Sequence, residues 1–358
     1  MLQGKPRFLL RVFENCRLRA LLLVALAVLV VGCGWTETPH GKLDFRAALS
    51  LHLLTFEQEI KPDPDVDFEF TMPVNLAYAI SAVMPKEDVA KFEDISIPNN
   101  GIVISARVYW PATSADATEL PPVIVYYHGG GFVVGSVDIF DSLTRSLANA
   151  TSSIVVSVDY RLAPAHPFPA ALDDAYASLA WVTENVASLG GDANKIIVAG
   201  DSAGGNLAAV VTLKAKQENG PLIAGQILYY PVVDLTNQSY SSIDNFADGY
   251  GLSTEAGNAF RRAYLGKLED NSTPYVSPLY AESLSALPPA LVVTAGFDPL
   301  TDGTAAYVER LKQGKVPVTY KPYSEMIHGF MSINAFSQRR LALNDTAVFV
   351  EELFSSNL

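Results

Sequence analysis

The stretch KIIVAGDSAGGNLAAVV, residues 195–211, sets a serine where its hydroxyl could be made to react. An apolar run passes through Gly200-Asp201-Ser202-Ala203-Gly204 into a helix of small residues. So tight a strand-to-helix turn lifts the Ser202 side chain above the sheet edge, and positions two residues away must be small, hence Gly200 and Gly204. Ser202 also opens the helix, where free amides and the helix dipole favour negative charge. A plain helix cap would explain the serine but not the flanking glycines. The pattern reads as a nucleophile.

A serine hydroxyl attacks only when a base takes its proton, and the base needs a third group to hold its tautomer. The histidines are His40, His52, His128, His166 and His328. With the order serine, acid, histidine that accompanies this type of turn, only His328, in MIHGF, lies beyond Ser202. The acid should sit on a loop between them. Asp298 ends the apolar run ALVVTAGF and precedes Pro299, which stops the strand. Asp302 is the rival and reads better as a helix cap, and Glu325 is too near His328 to have its own loop.

Attack on a carbonyl would leave negative charge on oxygen, which backbone amides can stabilise without a counter-ion. The amide of Ala203 follows the serine. Others are expected from VIVYYHGGGFVVG, residues 123–135, a strand that runs into His128-Gly129-Gly130-Gly131. Glycines there let amides turn inward and leave room for a substrate. His128 reads as a structural residue that braces this loop, with Gly129 and Asp201 as supporting members of the two motifs.

Positioning these groups requires a sheet. From about residue 95, β-branched runs alternate with helical stretches: strands at 101–110, 123–127, 153–158, 195–200, 225–230, 289–296 and 316–321, and helices at 139–150, 169–189, 207–217, 303–312 and 334–353. Continuous apolar strands between helices predict an α/β fold with a mostly parallel sheet covered on both faces. Residues 36–95 show helical patches and no clear strand, and 234–285, rich in polar residues and tyrosine, interrupt the alternation. Segments of this kind at a sheet edge commonly form a lid.

Over 358 residues, 49% hydrophobic and 18% charged, the chain reads as globular. Residues 1–32 carry Lys5, Arg7, Arg11, Arg17 and Arg19 against Glu14, so the remainder is more acidic than the total of −13 and unsuited to nucleic acid. The apolar run Ala20 to Val31 is short for a membrane span and right for a signal-peptide core. It ends in VVGC, which resembles the lipobox of bacterial lipoproteins. The expectation is a signal over 1–32, lipidation at Cys33 and a body exported to the extracytoplasmic side of the envelope, held there by a lipid anchor. Cys16 and Cys33 are the only cysteines, so no disulfide within the mature body and no cysteine metal site is expected.

HGGGF, DYRLAPAHPFPAALDDA, GDSAGGNLA, FDPLTDG and HGF, in this order, resemble the hormone-sensitive-lipase-like branch of the α/β-hydrolases, over about residues 100–355. The resemblance implies an eight-stranded sheet with helices on both sides and a helical cap. The cap would be drawn from 33–95 and an insertion at about 234–285, within a catalytic domain over 96–358. It implies Ser202, Asp298 and His328 as the triad, and Gly130, Gly131 and Ala203 as oxyanion donors. It also implies hydrolysis of short- to medium-chain carboxylic esters without metal or cofactor. An amidase, deacetylase or peptidase could use the same groups, and a non-catalytic binding protein would dispense with the base. One departure is LAPA, with Ala165 where the family usually has glutamate; Asp159 and Arg161 in the same stretch read as a structural pair.

Overall fold

In a computed structural model, residues 34–53, 86–112, 119–236 and 238–355 are described, together with the backbone of a hairpin at Thr55–Ile60 and Phe70–Asn75. The apolar run before residue 33, Cys16 and Cys33 lie outside them. Among the described residues no helix is long and apolar enough to cross a membrane.

Eight strands form the main sheet: β1 (Lys91–Asn99), β2 (Ile102–Trp110), β3 (Val123–Tyr127), β4 (Ile154–Asp159), β5 (Ile196–Asp201), β6 (Gly225–Tyr229), β7 (Ala290–Phe297) and β8 (Val318–Ile327). Their spatial order is β8-β7-β6-β5-β3-β4-β2-β1. β2 pairs antiparallel with β1 and β4, and every other pairing is parallel. The central strands are buried along nearly their whole length because both faces are covered, with a few polar residues such as Ser157 and Gln226 among the apolar ones. In β3 the side chains of Val123, Val125 and Tyr127 enter one core and those of Ile124 and Tyr126 the other.

Helices α3 (Ala170–Leu189), α4 (Ala203–Glu218) and α7 (Thr301–Gln313) contribute to the first core. Helices α2 (Val137–Thr151) and α8 (Ser337–Phe354) contribute to the second, with Leu43, Ala47 and Ala48 from the region of α1 (Phe45–Leu53). Two further helices, α5 (Ser241–Asn245) and α6 (Thr254–Leu265), come from the polar interruption between β6 and β7.

The α/β architecture expected from the sequence is present, with corrections. Residues 36–95 do contain strands: short pairs at Glu37–Thr38 and Gly41–Lys42, the hairpin, and the start of β1. β1 is an edge strand with largely exposed side chains, so its pattern carries no apolar run. Helix α4 begins at Ala203, four residues before its expected start, because the turn beneath it forces Gly204 and Gly205 into helix despite their poor propensity. β8 continues through Pro322, which an edge strand tolerates because one side needs no ladder bond.

Asp159 and Arg161 do not pair with each other. Asp159 accepts from the Val137 N–H at the start of α2. Arg161 instead grips Asp174, its Nε and Nη2 each 2.8 Å from a carboxylate oxygen and its backbone N–H 3.0 Å away. The reason is local geometry: α3 packs against the end of β4 and presents its second turn to a guanidinium two residues beyond the strand. Asp174 is wholly buried, whereas the Arg161 side chain keeps 32% of its exposure. The two halves of the pair should therefore differ in urea denaturation. Arg161→Ala strands a buried carboxylate with Asn99 as its remaining side-chain donor and should cost about 3 kcal/mol. Asp174→Ala leaves a guanidinium that reaches water and should cost roughly half as much. Equal losses would refute that asymmetry.

Candidate active site

The turn between β5 and α4 is strained in the way its sequence demands. Ser202 has φ 54° and ψ −117°, a left-handed backbone for a residue with a side chain. A Cβ at Gly204 would strike the carbonyl oxygen of Tyr127, and one at Gly200 the carbonyl oxygen of Gly204. The strain is held by pairing on both sides: β5 lies between β3 and β6, and the Ser202 N–H donates to the Tyr229 carbonyl at 2.9 Å.

Three side chains distant in sequence meet above this turn. His328, directly after β8, has Nε2 at 2.9 Å from Ser202 Oγ and Nδ1 at 2.7 Å from Asp298 Oδ2. Asp298 follows β7, is 1% exposed, and accepts the Leu300 N–H through its other oxygen. With Nδ1–H donated to Asp298, Nε2 is left free to accept the serine proton. Tyr230 lies against the imidazole, ring centroids 4.9 Å apart, and adds a wall that sequence reasoning missed.

The rival groups lie elsewhere. Asp302 accepts the Ser242 N–H at 2.9 Å, so it serves the short helix α5. Glu325 is exposed. His40 and His52 meet aromatic rings of the outer segments, and His166 is exposed. Ala165, where the family pattern carries glutamate, is exposed as well.

The glycine loop leaves β3 beside the turn because Tyr127 pairs with Gly200 across adjacent strands. Gly130 and Gly131 both take positive φ, 118° and 62°, and a Cβ on Gly130 would collide with the Val134 carbonyl. Among the described residues, no protein acceptor takes the N–H groups of Gly130, Gly131 or Ala203. Free amides from two adjacent turns are what a developing oxyanion requires.

Asp201 and His128 brace this arrangement. Asp201 Oδ1 accepts from the Gly129 N–H at 2.8 Å and from the Tyr126 hydroxyl at 2.6 Å, so the residue before the serine clasps the glycine loop. A Cβ on Gly129 would run into that carboxylate. His128 is fully buried, with Nδ1 2.8 Å from the Gly129 carbonyl and its ring stacked between Tyr160 and Phe140. Burial pushes its imidazole below the ordinary histidine range, which suits a neutral brace. Sequence reasoning named these residues as support but could not see Tyr126 as the partner.

A cavity of about 440 Å³ opens over Ser202 and His328, walled chiefly by apolar groups such as Val134, Ile139, Leu235, Leu252 and Phe260. Helix α6 roofs it and is fixed to the glycine loop: the Phe260 ring abuts Gly131, and Tyr264 stacks on Phe132 at 3.7 Å. The arrangement can desolvate a carbonyl compound, attack it with an activated hydroxyl and hold the resulting oxyanion.

Comparison with known proteins finds the same fold among named esterases. Residues 124–332 match a family model described as alpha/beta hydrolase fold. Esterase LipI of Mycobacterium tuberculosis is 44% identical over 239 residues, 66% of this chain and 74% of that protein. Carboxylesterase NlhH of the same organism is 41% identical over 68% of this chain and 76% of its own length. Among solved structures, a hyperthermophilic esterase from the archaeon Pyrobaculum calidifontis superposes with a TM-score of 0.72 at 43% identity, covering 78% of this chain and 87% of that one.

The buried Asp201 carboxyl sets a pH test. Burial raises it from 3.8 to about 6, against the opposing hydrogen bonds from Tyr126 and Gly129. The folded protein thus holds this proton more tightly than the unfolded chain does. Stability owed to that proton is full below about pH 4 and is lost as pH rises through about 6. Asp201→Asn carries no such titration. Relative to this variant, the wild-type protein should lose roughly 3 kcal/mol between pH 4 and 7 in denaturant titrations. A difference independent of pH would mean that the carboxyl is already ionised in the fold at pH 4.

Proposed function

The chain belongs to the alpha/beta hydrolase family, and from that premise we propose that it is a serine carboxylesterase working through an acyl-enzyme. Ser202 Oγ bonds to the ester carbonyl carbon as its proton passes to His328 Nε2. The carbonyl electron pair moves onto oxygen, facing the amides of Gly130, Gly131 and Ala203. When that pair returns, the bond to the alcohol oxygen breaks, and the leaving alkoxide takes the proton from His328. Water then attacks the acyl-serine with His328 again as base, releasing the carboxylic acid and restoring the hydroxyl. Asp298 keeps Nδ1 protonated and steadies the imidazolium in both halves.

The observation that carries this reading is the unbroken chain Ser202 Oγ, His328 Nε2, His328 Nδ1, Asp298 at 2.9 and 2.7 Å beside unpaired amides. The presence of the base distinguishes the chain from a binding protein that uses the fold without turnover. Ester rather than amide bonds are favoured because the relatives are named esterases. Short- to medium-chain acyl groups suit a cavity of about 440 Å³, the size that holds a small organic molecule. We place the domain outside the cytoplasm, anchored by lipid on Cys33, on the strength of the basic start, the apolar run and VVGC.

An organophosphate probe with an ester assay tests the chemistry. The wild-type protein should be labelled at Ser202. Ser202→Ala should stay folded, escape labelling and lose at least roughly a thousandfold in turnover of 4-nitrophenyl butyrate. Labelling at another residue, or substantial surviving activity, would identify a different nucleophile. For location, Cys33→Ser should shift the protein from the membrane fraction to the soluble fraction of a bacterial host. Retention in membranes would favour an uncleaved N-terminal anchor.

A further inference from the structure

One fixed charge in the cavity is not used by the chemistry above. Arg261, in α6, lines the same space as Ser202 and His328. Its Nε is shut off from solvent, and no protein oxygen among the described residues accepts from it. Other arginines that are partly or wholly withdrawn from water are treated differently by this fold. Arg107 pairs with Asp94, Arg145 with Asp141 and Arg161 with Asp174. Arg310 donates to the Leu279 and Ala281 carbonyls, and Arg339 to the Met331 carbonyl. Arg262, the next residue, is exposed.

The carboxylates in the cavity wall do not answer Arg261. Asp234 is taken up by the hydroxyls of Tyr240 and Tyr280 and by the N–H and hydroxyl of Thr236. Asp201 is held by Tyr126 and Gly129. A guanidinium whose Nε is shut off from solvent beside apolar walls lacks a partner on that edge, and those walls lower the local dielectric, which strengthens its meeting with an anion. Its planar fork matches a carboxylate. The placement is also fixed relative to the reacting carbon, because the preceding residue, Phe260, abuts the glycine loop at Gly131. A net charge of −13 would otherwise repel an anionic substrate, so a cation inside the cavity has a clear use only if the substrate carries negative charge.

Resting on the esterase reading, we propose that Arg261 binds a carboxylate of the substrate. The substrate class is then esters with a second, ionised carboxyl group: monoesters of dicarboxylic acids if the charge lies on the acyl side, acylated hydroxy acids if it lies on the alcohol side.

Two matched pairs of esters test this on the full-length protein. Mono-4-nitrophenyl adipate against 4-nitrophenyl hexanoate places the charge on the acyl chain. The butyrate of 4-hydroxybenzoic acid against that of 4-methylphenol places it on the alcohol. The readout is the ratio of kcat/KM for the charged over the neutral member in the wild-type protein, Arg261→Gln and Arg261→Lys. In at least one pair the ratio should fall about tenfold in Arg261→Gln, mainly through KM, and less in Arg261→Lys, which keeps the charge without the fork. The affected pair identifies the side that carries the carboxylate. Ratios unchanged across the three proteins in both pairs would overturn the proposal. Failure of the wild-type protein to hydrolyse either neutral ester would instead overturn the esterase reading, and this proposal with it.

Discussion

The structure turns on one close approach. Where β3 and β5 end side by side, the carbonyl oxygen of Tyr127 sits so near Gly204 that no side chain could lie between them. That contact lets α4 start immediately above the sheet, which in turn forces Ser202 into a left-handed backbone and lifts its hydroxyl free of its neighbours. A looser junction would relax the turn and lower the serine into the helix as an ordinary cap. Parallel strands buried on both faces supply the rigidity needed to hold such strain.

The same junction joins the two halves of the oxyanion site. Ala203 belongs to the α4 side and Gly130 and Gly131 to the β3 side, so their amides stay aligned only while the two strand ends stay in register. Asp201 spans them through the Gly129 N–H, and Tyr126 secures Asp201 from the far face of β3. Two hydrogen bonds to one carboxylate oxygen do not fully offset its burial, and the protein tolerates a carboxyl raised to about 6 at the centre of its machinery. Burying a titratable group there trades stability for alignment, a trade common beside reactive sites.

Helix α6 extends this rigidity to the roof of the cavity. Phe260 on Gly131 and Tyr264 on Phe132 tie it to the glycine loop, so the roof and the oxyanion donors form one packed unit. Substrate choice is therefore set by side chains on an element held in fixed relation to the reacting atoms. This is the rigid support that a binding group needs if it is to orient a substrate as well as attract it.

Most of the central machinery was legible in the sequence because its signals are local. Glycines flanking Ser202, three glycines after an apolar strand and a lone histidine near the end each reflect a constraint met within a few residues of chain. The chain order of Ser202, Asp298 and His328 followed from the same turn chemistry. What the sequence left open depended on approaches between distant segments. Asp298 and Asp302 are the same residue type four positions apart, and only the packing of α5 against the start of α7 draws Asp302 away. Arg161 found Asp174 rather than Asp159 because α3 passes the end of β4. The start of β1 was invisible because an edge strand with largely exposed side chains lacks an apolar period. Nothing in the sequence singled out Arg261, which lies within the polar interruption at 234–285. Its environment is made by α6, the glycine loop and the loop after β6 together, and side-chain type alone does not encode which charges will be left without an acceptor once separate elements close around them.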